Sequence, residues 1–159
     1  MEYDLRNPSD LAPFAVFALT IALLLGGCAG SGGGGIEARR ADVVKAALAQ
    51  IGTPYVYGGN APGRALDCSG LTHYAHGVAG LAIPRTAAAQ HRSAQPVKPR
   101  ALRAGDMVFF RIGSGNHVGL MVDSKRFVHA STSKRKVLIS TLDTPYWRKH
   151  YAGAGTYLR

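Results

Sequence analysis

Cysteine is scarce in this chain: two in 159 residues, at positions 28 and 68. Acids are scarce too, nine Asp and Glu against 19 Lys and Arg, so the net charge is +10 with the histidines neutral. No segment repeats and nothing marks a second domain, which fits a chain long enough for one domain with a sizeable core. The apolar run Leu11–Leu25, broken only by Pro13 and Thr20, is short for a comfortable membrane span. It has the length of the hydrophobic region of an export signal.

That run leads into LGGC, with Leu25 three residues before Cys28 and small residues between. The pattern resembles a bacterial lipobox, in which the chain is cut before the cysteine and the cysteine is lipidated. One feature departs from ordinary signals: MEYDLRNPSD sets Arg6 against Glu2, Asp4 and Asp10, so the leading segment is net negative. The expected organisation is a signal peptide over 1–27, lipidated Cys28 with a Gly-rich tether over 28–35, and one folded domain over 36–159. The tether would span roughly 15 Å as a random coil. Removing residues 1–27 takes away one arginine and three acids and raises the net charge to +12. Such a basic exported domain suits an anionic partner in the cell wall or at lipid head groups, and export argues against nucleic acid.

A lipid on Cys28 leaves Cys68 as a lone thiol in an oxidising compartment, which makes a disulfide the weakest reading of it. Two readings remain. Cys68 is a structural cysteine packed on a sheet, or a nucleophile at the first turn of a helix. Helix N–H groups and the helix dipole favour a thiolate there and can hold an oxyanion. Asp67 opposes the thiolate, so a base has to help.

Apolar spacing predicts a first helix over Glu37–Ile51, with Val43, Val44, Ala47, Leu48 and Ile51 on one face and Gly52 ending it. TPYVYGGNAPGRALD reads as a loop. Cys68–Val78 reads as a second helix capped by Asp67, with Leu71, Ala75 and Val78 inward. Thr86 caps a third helix, Ala87 to Ala94. The period then changes to that of strands at Asp106–Arg111, His117–Asp123, Arg126–Ala130 and Lys136–Ser140. Pro145–Tyr151 is a short helix or turn, and Gly155–Arg159 a closing strand. Helices first and strands after predict an α+β fold, helices packed on an antiparallel sheet of about five strands.

Six histidines could serve Cys68: His73, His76, His91, His117, His129 and His150. His117 and His129 bracket a hairpin. A two-residue turn at Ser124 and Lys125 would put them on opposite faces. A three-residue loop, Asp123–Lys125, pairs Gly119 with His129 and makes His117 its diagonal neighbour on the same face. An odd-length loop or a bulge is therefore expected. His73-x-x-His76 with His91 has helical metal-ligand spacing, but no acids or cysteines gather round it, so no metal is expected.

Six motifs then occur in order: GTPYVYGG (52–59), DCSGL (67–71), IPRTAAAQ (83–90), LRAGDMVFF (102–110), NHVGLMV (116–122) and FVHASTS (127–133). Together they resemble the NlpC-type papain-like cell-wall cysteine endopeptidases, and PYWRKHY near the end looks like the family's lipoprotein branch. The resemblance implies a papain-like fold, no cofactor, and peptidoglycan stem peptides as substrate. It implies that Cys68 is the nucleophile, His117 the base, His129 the group orienting the base, and Tyr55 a contributor to the oxyanion region. Asp67, Ser69 and Arg85 would line the substrate groove. The branch implies cleavage of the D-alanine to diaminopimelate cross-link. The alternatives are the D-glutamyl to diaminopimelate bond, acyl transfer on a related scaffold, and an inert wall-binding lipoprotein. Cys28 as anchor, followed by Ala29, implies the periplasmic side of an outer membrane; oligomeric state is not legible.

Overall fold

The computed structural model describes residues 32–159, and the signal, Cys28 and the start of the tether lie outside them. Helix α1 runs Gly32–Leu48. It takes up Gly32–Gly35, which the sequence assigned to the tether, and stops three residues before the expected Ile51. Val43 and Ala47 are fully buried as expected, whereas Ile51 lies beyond the helix end and is exposed. The following loop holds a two-stranded ribbon that its Gly and Pro content concealed, β1 (Asn60–Ala61) with β2 (Ala65–Leu66).

Helix α2 is Cys68–Val78, started by Asp67, whose carboxylate accepts from the Gly70 N–H at 2.6 Å. Leu71 and Ala75 point into the core; Val78, expected inward, is exposed in the last turn. Helix α3, Ala87–Ser93, is capped by Thr86. A short strand β3 (Gln95–Pro96) and one turn of 3-10 helix lead to the main strands. These are β4 (Met107–Ile112), β5 (Gly115–Met121), β6 (Arg126–Ser131) and β7 (Lys136–Thr141). Helix α4 (Pro145–His150) follows, then β8 (Tyr151–Thr156), which closes the sheet four residues earlier than expected because its backbone pairs with β4.

The sheet is antiparallel with order β3-β8-β4-β5-β6-β7, six strands where about five were expected. The extra strand is β3, two residues at the edge, where proline is tolerated. Residues of β4 alternate between two cores. Met107 and Phe109 face the helices with Val43, Leu71, Val118, Leu120 and Val128. Val108 and Phe110 face the other way, with Met121, Phe127 and Trp147. Burial on both faces explains why MVFF is one apolar run, each large side chain contributing about 2 kcal/mol. Arg40 ties α1 to the turn before β4 through Asp106, at 2.8 Å.

Candidate active site

Cys68 is the first residue of α2, partly exposed, at the end of the helix where N–H groups are unpaired. Its foundation is a network around Asp67. Arg85 reaches both carboxylate oxygens at 2.9 Å, the Ser69 hydroxyl at 3.0 Å and the Gly59 carbonyl at 2.8 Å. Asp67, Ser69 and Arg85, expected along the groove, are thus brought together, with most of their hydrogen bonds made to one another. The network clamps the loop at Gly59 onto the first turn of α2. A Cβ on Gly70 would collide with the Gly59 carbonyl and crowd Asp67 and Arg85. That close approach is why the motif carries glycine after the serine.

The sheet splits to admit the sulfur. Val122 N–H donates to Arg126 O at 2.9 Å, so even-numbered residues of β5 aim their N–H groups at β6. The pairing of β5 with β6 covers only Leu120 with Val128 and Met121 with Phe127. Past that point the next N–H on this side, that of Val118, faces the Cys68 sulfur instead of a β6 carbonyl. Burial pushes the Cys68 thiol up; the Val118 N–H works against it, Asp67 adds to it, and the N–H groups of Ser69 and Cys68 favour the thiolate.

The hairpin count holds. Leu120 opposite Val128 leaves Asp123–Lys125 as a three-residue loop, and the same register continued sets Gly119 across from His129. His117 is then the diagonal neighbour, and its Nε2 lies 2.9 Å from His129 Nδ1 with the rings perpendicular. His129 Nε2 lies 3.0 Å from the Ser140 hydroxyl on β7. Burial pushes His117 down to about 4. Burial, then the His117 charge, pushes His129 down to about 3.

With the thiol pushed up and both imidazoles pushed down, all three favour their uncharged forms at neutral pH. If His117 Nδ1 is to accept a proton, Nε2 must carry the ring hydrogen and donate it to His129 Nδ1. His129 then holds its own hydrogen on Nε2 and donates to Ser140. The three side chains form a one-way relay that leaves Nδ1 of His117 open as an acceptor. Trp147 covers the pair, stacked on His117 at 5.8 Å and edge-on to His129 at 5.0 Å.

Tyr55 is held by its N–H on the Arg135 carbonyl at 2.9 Å and by a bridge to Leu66, just before Asp67. Burial raises its hydroxyl pKa first, and the charges of Cys68 and Asp67 raise it further. The other histidines do not converge. His73 is exposed, His76 is buried with Nδ1 on Thr72 O at 2.9 Å, and His91 stacks on Phe109. Ser140 and Trp147 escaped the sequence reading, because each reaches the pair only through the packing of β7 and α4.

Known proteins match this arrangement. The chain is 37% identical over 131 residues to the murein DD-endopeptidase MepH of Escherichia coli K12, covering 74% of this chain and 48% of that protein. It is 41% identical over 102 residues to the same organism's murein DD-endopeptidase MepS/murein LD-carboxypeptidase, covering 63% and 53%. The chain thus spans about half the length of these curated relatives. A crystal structure of an NlpC/P60 family protein from Bacillus cereus superposes with a TM-score of 0.69 at 32% identity, covering 76% of this chain and 40% of that one. The fold is the papain-like α+β arrangement, and with residues 52–156 matching the NlpC/P60 family model, the chain belongs to the NlpC/P60 family.

Proposed function

We propose that the chain is a peptidoglycan hydrolase, a thiol endopeptidase that cleaves the D-alanine to diaminopimelate cross-link of stem peptides. The observation that carries this reading is the relay Ser140–His129–His117 on the strand whose next residue, Val118, turns its N–H to the Cys68 thiol at a helix start. The names of the relatives, murein DD-endopeptidases, support the choice of bond.

In this reading the Cys68 proton passes to His117 Nδ1 as sulfur attacks the scissile carbonyl. The developing oxyanion is held by the Cys68 N–H and the Tyr55 hydroxyl. The imidazolium is stabilised through its Nε2–H to His129, which Ser140 keeps in the accepting tautomer. The tetrahedral adduct collapses, and His117 returns the proton to the leaving amine. Water, deprotonated by His117, attacks the thioester and frees the carboxylate product and the thiol. Asp67, Ser69 and Arg85 fix the helix start, and the exposed part of Arg85 contributes to the groove wall.

The proposed setting is the periplasmic side of an outer membrane, tethered through a lipid on Cys28. The LGGC segment after the apolar run supports it. The intact mass of the membrane-extracted protein tests it: a diacylglyceryl and acyl addition on an N-terminal Cys28 is expected, and an unmodified chain would overturn it.

Digestion of purified cross-linked peptidoglycan, with muropeptides read by mass, tests the activity. Loss of cross-linked dimers with the wild type and not with Cys68→Ala is expected. Loss of intact stems in place of dimers would move the cut to the D-glutamyl bond, and no cleavage by a folded wild type would favour a wall-binding role.

A further inference from the structure

The turn between β6 and β7 and the first residue of β7 carry Lys134, Arg135 and Lys136 in a row, all exposed. Arg40, Arg85, Arg103, Arg126 and Arg148 each meet a carboxylate; among the described residues, none of these three does. The turn is built, not loose. Arg135 has φ of 53°, the left-handed region that a residue with a side chain enters at a cost and keeps only when its surroundings hold it there. Its carbonyl accepts the Tyr55 N–H at 2.9 Å. Gly52 N–H donates to Val137 O, and Val137 N–H to Thr53 O, both at 2.9 Å, while Pro54 bridges Lys136. Lys134 N–H is fixed on the Ser131 hydroxyl at 3.2 Å.

Residues 135–137 therefore pair as a ribbon with residues 52–55, the segment that carries Tyr55. The pairs His129–Leu138 and Ser131–Lys136 also put Lys136 on the same side of the hairpin as His129. The three cations thus stand on the ribbon that carries Tyr55, with Lys136 on the same side of the hairpin as His129.

We propose that Lys134, Arg135 and Lys136 form an anion-reading rim of the substrate groove, which takes a free carboxylate of the stem peptide close to the cleaved bond. This rests on the peptidoglycan reading above. Three cations that meet no carboxylate among the described residues, crowded where the backbone is already fixed, repel one another until an anion arrives. They bind it with little ordering cost. The rim would set selectivity between stems whose carboxylates are free and stems in which they are amidated.

The test is binding, measured by calorimetry on the full chain carrying Cys68→Ala, so that turnover plays no part. The probes are an uncross-linked stem tetrapeptide with free carboxylates and its amidated counterpart. The rim variant is Lys134→Gln, Arg135→Asn, Lys136→Gln, with asparagine chosen because it tolerates the left-handed backbone. With the rim intact the free-carboxylate peptide should bind about ten-fold tighter, and this preference should shrink as salt rises. The rim variant should lose the preference, with an unchanged circular dichroism spectrum and melting temperature. Equal binding of the two peptides by the intact rim, or a preference that survives in the variant, overturns the proposal. A preference lost in the variant while the wild type cleaves no peptidoglycan would sink the endopeptidase reading and leave the rim standing.

Discussion

Acidification should destabilise this domain from pH 6.5 downward, before most of its carboxylates titrate. Three imidazoles, His76, His117 and His129, are buried and held below their ordinary pKa of 6.5, chiefly by desolvation. Above pH 6.5 folded and unfolded chains carry them neutral alike, and stability is fully present. As pH falls below 6.5 the unfolded chain protonates them and the folded chain does not. Each such group then favours the unfolded state by about 1.4 kcal/mol per pH unit until its folded pKa is reached. For His117, pushed down to about 4, the loss is complete near that pH and amounts to roughly 3 kcal/mol. That is a large share of a typical stability of about 5–15 kcal/mol. His76 and His129 act in the same direction, although a proton on one ring of the hydrogen-bonded pair discourages a second. Urea unfolding at pH 8, 7, 6, 5 and 4.5 measures this directly, and the midpoint should fall steadily below pH 6.5. A midpoint that is flat between pH 7 and 5 would refute the reasoning, since it would mean that the imidazoles titrate normally and the pair is wet.

Gly70→Ala should lose about a hundred-fold in kcat and destabilise the fold by about 2 kcal/mol, because the new Cβ forces the Gly59 loop off the helix that carries Cys68; full activity with an unchanged melting temperature would show that the clamp has slack. Trp147→Ala should let water reach the imidazole pair, raise the His117 pKa towards 6.5 and move the acid limb of kcat/KM up by about one pH unit or more. Trp147→Phe should move it less, and a pH profile identical to wild type in the alanine variant would remove Trp147 from the account. Arg85→Ala should cost about 2 kcal/mol in unfolding by urea, as the mostly buried Asp67 carboxylate loses its paired cation but keeps the Gly70 N–H; a loss under half of that would mean that the clamp contributes little.

The sequence revealed most where the signal is local. Side-chain caps made the starts of α2 and α3 readable, since Asp67 and Thr86 are placed to accept the first free N–H groups. Counting residues around Asp123–Lys125 was enough to bring His117 and His129 to one face, because alternation leaves no freedom once the loop length is set. What failed depends on partners far along the chain. Strands of two residues have no period to detect, so β1, β2 and β3 were invisible. Ile51 and Val78 fit their helical faces by spacing, yet α1 stops at Leu48, before Ile51, and Val78 is exposed in the last turn of α2. Ser140 sits in a strand that reads as ordinary alternation, and its role comes only from lying diagonal to His129. The clamp of Arg85 on Asp67 joins residues 18 apart, with both ends in motifs that give no hint of the pairing.

The central claim is that Cys68 attacks the stem peptide with His117 as its base. Rapid-quench intact mass spectrometry of the protein mixed with cross-linked muropeptide dimers tests it most directly. The account predicts a transient acyl adduct on Cys68 in the wild type, none in Cys68→Ala or His117→Ala, and no dimer cleavage in either variant. Cleavage that persists in Cys68→Ala, or product that forms from the wild type with no adduct on Cys68 at any time, would contradict it.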